Sequence, residues 1–176
     1  GTNGQSSNPT GPKGGVGLIS TILTTTQAAS AGVGQVAGSN VYYAGGGAGT
    51  RTDSGNDVTL TGSTTVTDSD YYGGLGGGGR PYNDGLANTG GGAGGTNRGG
   101  GYSNSGVLRG GSGCVILKMP TAEYTGVTSG NPSVFTSGAD TILAFTGSGV
   151  YKHAARLAAT EMAFLAVAGG ASGGGA

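Results

Sequence analysis

Between residues 73 and 113, 19 of 41 residues are glycine. A glycine held in a regular element gives up roughly 0.5–1 kcal/mol more than alanine, because its unfolded freedom is greater. Over this tract the difference is on the order of 10–19 kcal/mol, comparable with the whole stability of an ordinary domain. The tract is therefore either disordered or held in an arrangement that only glycine can enter. It lacks the strict Gly-X-Y period of collagen, since Ala, Asn, Thr, Ser, Tyr and Arg interrupt it every few residues. Extended threefold helices with polyproline-II dihedrals make no internal hydrogen bonds. Laid side by side, they can bond through N–H and C=O at about 0.5–1.5 kcal/mol net each, and only glycine lets backbones come close enough.

Composition favours order over a solvated tail. Disordered chains usually carry high net charge and few apolar residues. Here 34% of residues are hydrophobic, 9% are charged, and eight cationic side chains balance eight acidic ones. The basic stripe of a nucleic-acid binder is missing, so no nucleic-acid partner is expected. Cys114 is the single cysteine, which rules out an intrachain disulfide. It opens the apolar run "CVILKMP" and reads as a small buried hydrophobe. No run approaches the roughly 20 apolar residues of a membrane span. The start "GTNGQSSNPTG" lacks an initiator methionine, a basic n-region and an apolar h-region, and reads as a piece of something larger.

Along the chain, residues 1–17 are turn chemistry. The stretch "LISTILTTTQAAS" (residues 18–30) fits either a short helix or a strand, its Thr and Ile leaning towards strand. "DVTLTGSTTVT" (57–67) reads as a hairpin turning at Gly62-Ser63. "CVILKMP", "SVFT" and "DTILAFTGSGVYK" read as short strands bounded by Gly, Asn-Pro and Ser-Gly, with residues 115–117 covered on both faces. Residues 151–168 have helix propensity but close on a strand-like "FLAV", and both alternatives stay open. Three times an apolar or aromatic run passes into polyglycine, at residues 39–49, 68–79 and 162–176, an internal theme. The expected fold class is mainly β, with short strands flanking an ordered region of polyglycine-II-like helices. Three parts follow: a glycine-rich region with a hairpin insertion (1–113), a β-rich segment (114–152), and a connection that begins a further glycine-rich module (153–176).

No catalytic constellation assembles. "GLGGGG" (74–79) matches G-x-G-x-x-G formally, but Arg80-Pro81 and more turn residues follow where a helix N-terminus is needed. His153, the only histidine, has no cysteine or second histidine with which to share zinc and reads as a surface or packing residue. Asp68, Asp70 and "DSGND" (53–57) miss the EF-hand spacing and read as turn formers. The expectation is a protein without enzymatic activity, catalytic residues, metal or cofactor. Large side chains isolated among the glycines remain: Arg80, Tyr82, Asn83, Arg98, Tyr102, Asn104 and Arg109. They are either polar spacers or groups displayed on a rigid platform, in a chemistry like that of paratopes. Tyrosine would stack on sugars, and Asn and Arg would bond to hydroxyls.

In order, "VYYAGGGAG", "NTGGGAGGTNRGGG", "GGSGCVILKMP" and "TILAFTGSGVYK" resemble the glycine-rich modules of bacteriophage tail fibres and adhesins. Residues 110–120 match that family's "GGSGxVIxRYP"-like strand, with Lys118-Met119 where Arg-Tyr is usual. Residues 145–151 match an "FTGSGxF"-like motif, and 164–175 an "LVVAGGGGGGG"-like entry into glycine. The likeness runs from about residue 16 onward, with the modules cut at shifted points and with "KHAARLAATEM" replacing a short valine-rich connection. It implies packed polyglycine-II helices beside β-structure in an extracellular virion protein. The expected partners are a host surface glycan or outer-membrane protein, other tail proteins, and further copies in a homo-oligomer, most simply a trimer. Arg80, Tyr82, Asn83, Arg98, Tyr102 and Asn104 are the candidate receptor-binding residues. A purely structural fibre or decoration segment is the alternative. An ice-binding polyglycine-II protein is a further one, which the irregular tract with its tyrosines and arginines disfavours.

Overall fold

Alternating exposure along "DTILAF" would mark a strand with one wet face, yet every residue of Thr141–Phe145 is buried. A strand of this kind must be covered on both sides, and the fold is arranged to do that. The computed structural model describes residues 13–49, 73–95, 107–153 and 163–171. The fold is mainly β with several antiparallel sheets. The elements are β1 (Leu18–Ser20), α1 (Thr25–Ala31), β2 (Gln35–Ala37), β3 (Asn40–Tyr43), β4 (Cys114–Pro120), a 3₁₀ turn (Thr121–Glu123), β5 (Thr128–Ser129), β6 (Ser133–Ser137), β7 (Asp140–Phe145), β8 (Val150–Tyr151) and β9 (Ala163–Val167). They form sheets ordered β1-β3-β2, β6-β7-β4-β9 and β5-β8.

Local chemistry explains several boundaries. Residues 18–30 are both things the sequence allowed, a strand and then a helix. Leu18–Ser20 pairs with β3, and Thr24 then starts α1 through a capping box with Gln27, which satisfies two otherwise orphaned N–H groups. Gly32 ends the helix in the left-handed region (φ 66°). The β2–β3 and β6–β7 hairpins both turn on two residues led by glycine, Gly38 (φ 58°) and Gly138 (φ 61°). That is the position where a type II′ turn needs positive φ. The hairpin expected at residues 57–67 lies outside the described residues. "FLAV" is a strand, β9, paired with β4, whereas residues 154–162 are also outside them.

The four-stranded sheet is the centre of the molecule. On one face Cys114, Ile116, Ile142 and Ala144 pack with Ala28 of α1, Val41 and Tyr43 of β3, and Leu23 and Val33 from the connections flanking the helix. On the other, Met119, Leu143 and Phe145 are joined by Leu117, Tyr124 and Tyr151. Coverage of this second face stops short of the β9 edge. Val115, expected to be covered on both sides, keeps 39% of its surface exposed, and Phe164, opposite Leu117 on the same face, 68%.

Burial also sets the chemistry of two core groups. Cys114 is buried as expected, and burial pushes its thiol up to about 11 from 9.0. The Tyr43 hydroxyl is raised as well, first by burial and then by the neighbouring Cys114, and it has no hydrogen-bond partner among the described residues. Both groups are neutral when protonated, so the folded state holds its protons to higher pH than the unfolded chain does. The Cys114 contribution is complete below about pH 9 and declines as pH rises towards about 11, and that of Tyr43 begins to decline only above 10.0. Melting temperature should therefore fall across that window, and Cys114→Ala should flatten the fall. A wild-type melting curve unchanged across it would contradict the assignment.

Candidate functional site

The glycine segments are extensions of the strands. Leu18 pairs with Tyr43, and three residues further out the Gly46 N–H donates to the Gly15 carbonyl at 2.8 Å. Cys114 pairs with Val167, and three residues further out the Gly170 N–H donates to the Gly111 carbonyl at 2.8 Å. In each case the pair further out keeps the register of the strands, but the ladder between gives way, the Gly17 N–H donating to Leu75 and the Ala44 N–H to Thr89. These are the first and third apolar-to-glycine transitions seen in the sequence. The second, at Tyr71-Tyr72, lies outside the described residues.

Between these pairs sit residues 73–80 and 89–95, and the bonding repeats every third residue. The N–H groups of Gly45 and Ala48 donate to the carbonyls of Gly76 and Gly79 (2.9 Å each). Those of Gly92 and Gly95 donate to the carbonyls of Gly45 and Ala48 (2.9 and 2.7 Å). Intervening groups turn elsewhere: Ala44 donates to Thr89, Gly46 to Gly15, and Ala93 to Ala171. A single segment therefore bonds to neighbours on three sides. Side chains have no room there. A Cβ added at Gly14, Gly47, Gly74, Gly91, Gly94, Gly111 or Gly170 would lie within 3.0 Å of a neighbour's backbone carbonyl.

Polar side chains tie this layer to the sheets. The Gln35 Oε1 accepts from the N–H groups of Gly76 and Gly77 at 2.8 and 2.9 Å, capping the 75–77 turn. Asn88, in the left-handed region (φ 59°), donates through Nδ2 to the Gly32 carbonyl at 3.0 Å. Its Oδ1 accepts from the Ser112 hydroxyl at 3.0 Å. Thr89, fully buried, donates to the Leu86 carbonyl. None of these was singled out in the sequence, where they look like ordinary spacers.

The layer has two unlike ends. At one, the chain passes between glycine and strand at Gly17–Leu18, Tyr43–Ala44, Gly113–Cys114 and Val167–Ala168. At the other lie Ala48, Gly79 and Gly95, linked by hydrogen bonds, and here the described chain leaves after Gly49 and Gly95. The turn carrying Arg80, Tyr82 and Asn83 occupies this second end. Tyr82 N–H donates to the Gly95 carbonyl (3.1 Å), and the Asn83 carbonyl accepts from Gly94 (2.9 Å). Asp84 Oδ1 accepts from the Arg109 N–H at 2.7 Å, bringing Arg109 to the same turn. Tyr82 has φ 63°, a conformation costly for a bulky L-residue. Asn83 and Arg109 are exposed, and Arg80 and Tyr82 half-buried. Arg98, Tyr102 and Asn104 lie outside the described residues, in the connection leaving Gly95.

The remaining candidates have other surroundings. His153 Nε2 lies 3.6 Å from Glu123 Oε2, and its ring stands edge-on to Tyr151, in a packing position. "GLGGGG" forms the 75–77 turn and its flanks, and no helix follows it among the described residues. Asp68, Asp70 and residues 53–57 lie outside those residues. Among the described residues no group of three or more His, Cys, Asp or Glu side chains could hold a metal. Comparison with family models, curated proteins and solved structures finds no match.

Glycine positions should divide sharply by their surroundings. Gly47→Ala and Gly94→Ala force a Cβ into backbone and should each destabilise by at least about 1–3 kcal/mol. Gly169 has only the Gly111 carbonyl nearby, at 3.5 Å. Gly169→Ala should leave stability unchanged or raise it by about 0.4–1 kcal/mol. Denaturant unfolding of the three variants tests this, and equal effects would refute the close-packing account.

Proposed function

We propose that the glycine segments form a small stack of polyglycine-II helices, and that this stack is the rigid stem of a bacteriophage tail-fibre or adhesin segment. The hydrogen bonds that recur every third residue support the first part, since three residues per turn is the period of that helix. The resemblance of "GGSGCVILKMP" and "TILAFTGSGVYK" to glycine-rich fibre modules supports the second. In this reading the protein is a non-enzymatic part of the virion, exposed outside the cell, that reaches the host surface.

The end away from the sheets is the contact surface. The observation that carries this is Tyr82, an aromatic residue with φ 63° on a turn shared with Arg80 and Asn83. Strained backbone of this kind persists where surrounding structure over-determines it, and it concentrates at functional sites. Arg98, Tyr102 and Asn104 belong to the connection that departs from the same end. Tyrosine, arginine and asparagine together suit sugar rings and their hydroxyls, or the polar loops of an outer-membrane protein.

Host adsorption by virions tests the reading. Tyr82→Asn removes the ring but keeps a residue that tolerates the left-handed region, so stability should stay within about 0.5 kcal/mol while adsorption drops. Replacing Arg80, Tyr82, Arg98 and Tyr102 together by alanine should abolish most of it. Unchanged adsorption by that folded quadruple variant would leave a purely structural fibre segment as the better account.

A further inference from the structure

Natural β-sheets guard their free edges with charge, proline, polar side chains or brevity. Here β1 and β2 are three residues long, and the β6 edge, "SVFTS", is mostly Ser and Thr. The strands β5 and β8 are two residues each, and the other edge of the four-stranded sheet, β9, is "AFLAV", with no charge, no proline and no hydroxyl. On the face that carries Leu143 and Phe145, it leaves Phe164, opposite Leu117, 68% exposed, and Val115, opposite Ala166, is 39% exposed. An edge left so unguarded among the described residues is suited to pairing.

We propose that β9 pairs with β9 of a second copy of this chain, antiparallel and centred on Leu165, joining two four-stranded sheets into one of eight strands. The sequence of the strand argues for its own kind as the partner. Centred on Leu165, a twofold pairing sets Phe164 opposite the partner's Ala166 and Ala163 opposite the partner's Val167, a small residue facing a large one each time. This is the self-complementarity an isologous contact requires. The rows already present then continue across the interface. Val115 lies beside Phe145 and Ala166, and the partner's Phe164 extends that row over Ala166 towards the exposed Val115. The row of Leu143, Leu117 and Phe164 ends in turn on the partner's Ala166. Two half-covered faces are completed together, without an unpaired charge. The contact is independent of any host-binding role.

Sedimentation equilibrium of the whole 176-residue chain tests this, with the expected mass twice 16.6 kDa. Ala166→Lys places a charge on the exposed face of β9 and should return the mass to 16.6 kDa with an unchanged circular dichroism spectrum and melting temperature. Thr136→Lys, on the opposite edge strand β6, should remain dimeric. A monomeric wild-type chain, a trimer, or a dimer that survives Ala166→Lys would each overturn the proposal.

Discussion

Backbone-to-backbone contact between glycine segments is the constraint from which the rest of this structure follows. A carbonyl of one segment lies where a Cβ of the next would have to be, as at Gly47 against Ala93 and Gly170 against Gly91. Hydrophobic burial cannot hold such a layer, since there are almost no side chains to bury. Its cohesion comes from peptide groups bonding across segments, and an unpaired buried peptide group is costly. Each segment therefore depends on all its neighbours, and one displaced segment would orphan donors on three sides.

A layer of that kind has little to fix its register, because glycine offers no side chain to tell one face from another. The sheets supply what it lacks. Tyr43, which faces Leu18, and Cys114, which faces Val167, belong to one continuous apolar cluster, and the pairs Gly15–Gly46 and Gly111–Gly170 lie in the same registers beyond them. Gln35, Asn88 and Ser112 then fix the turns at 75–77 and 87–90 against α1 and β2. The core thus does two jobs: it holds the sheets, and it sets the alignment of segments that could otherwise slide by a residue.

Much of the β-structure was legible because β4, β6 and β7 are β-branched or aromatic runs closed by Gly, Pro or Ser. Residues 18–30 were ambiguous because a three-residue strand and a seven-residue helix are both too short for periodicity to separate. The Thr24-x-x-Gln27 capping box was the signal that could have divided them. The anchoring side chains were not legible at all. Gln35 reaches Gly76 across 41 positions and Asn88 reaches Gly32 across 56, and no local pattern encodes so distant a choice of partner. The exposure of Val115 was hidden for a related reason, since an apolar run reads the same whether or not a neighbour covers its second face. Of the candidate binding residues, the isolation of Arg80, Tyr82 and Asn83 among glycines was a usable signal, because a lattice intolerant of Cβ atoms pushes large side chains to its turns.

That exclusion links the fold to the way it can recognise anything. At many positions within the layer even one methyl group meets backbone, and its buried side chains are small, as at Ala48 and Ala93, so large side chains gather at the turns and connections at its ends. One end is committed to the sheets, where Tyr43, Cys114 and Val167 carry their junctions into the core. The other is joined to the lattice by bonds such as Tyr82 to Gly95 and Gly95 to Ala48, which involve peptide groups and are indifferent to side-chain identity, with the Asp84 carboxylate on the Arg109 N–H beside them. Side chains on that end can therefore change without altering the peptide bonds beneath them, provided the turn geometry is kept. Rigidity then resides in backbone and side-chain variety in a few turns, the arrangement also met in scaffolds that carry function on loops. The left-handed Tyr82 marks where that freedom meets its limit, since there the side chain is large and the backbone is held by Gly95 regardless.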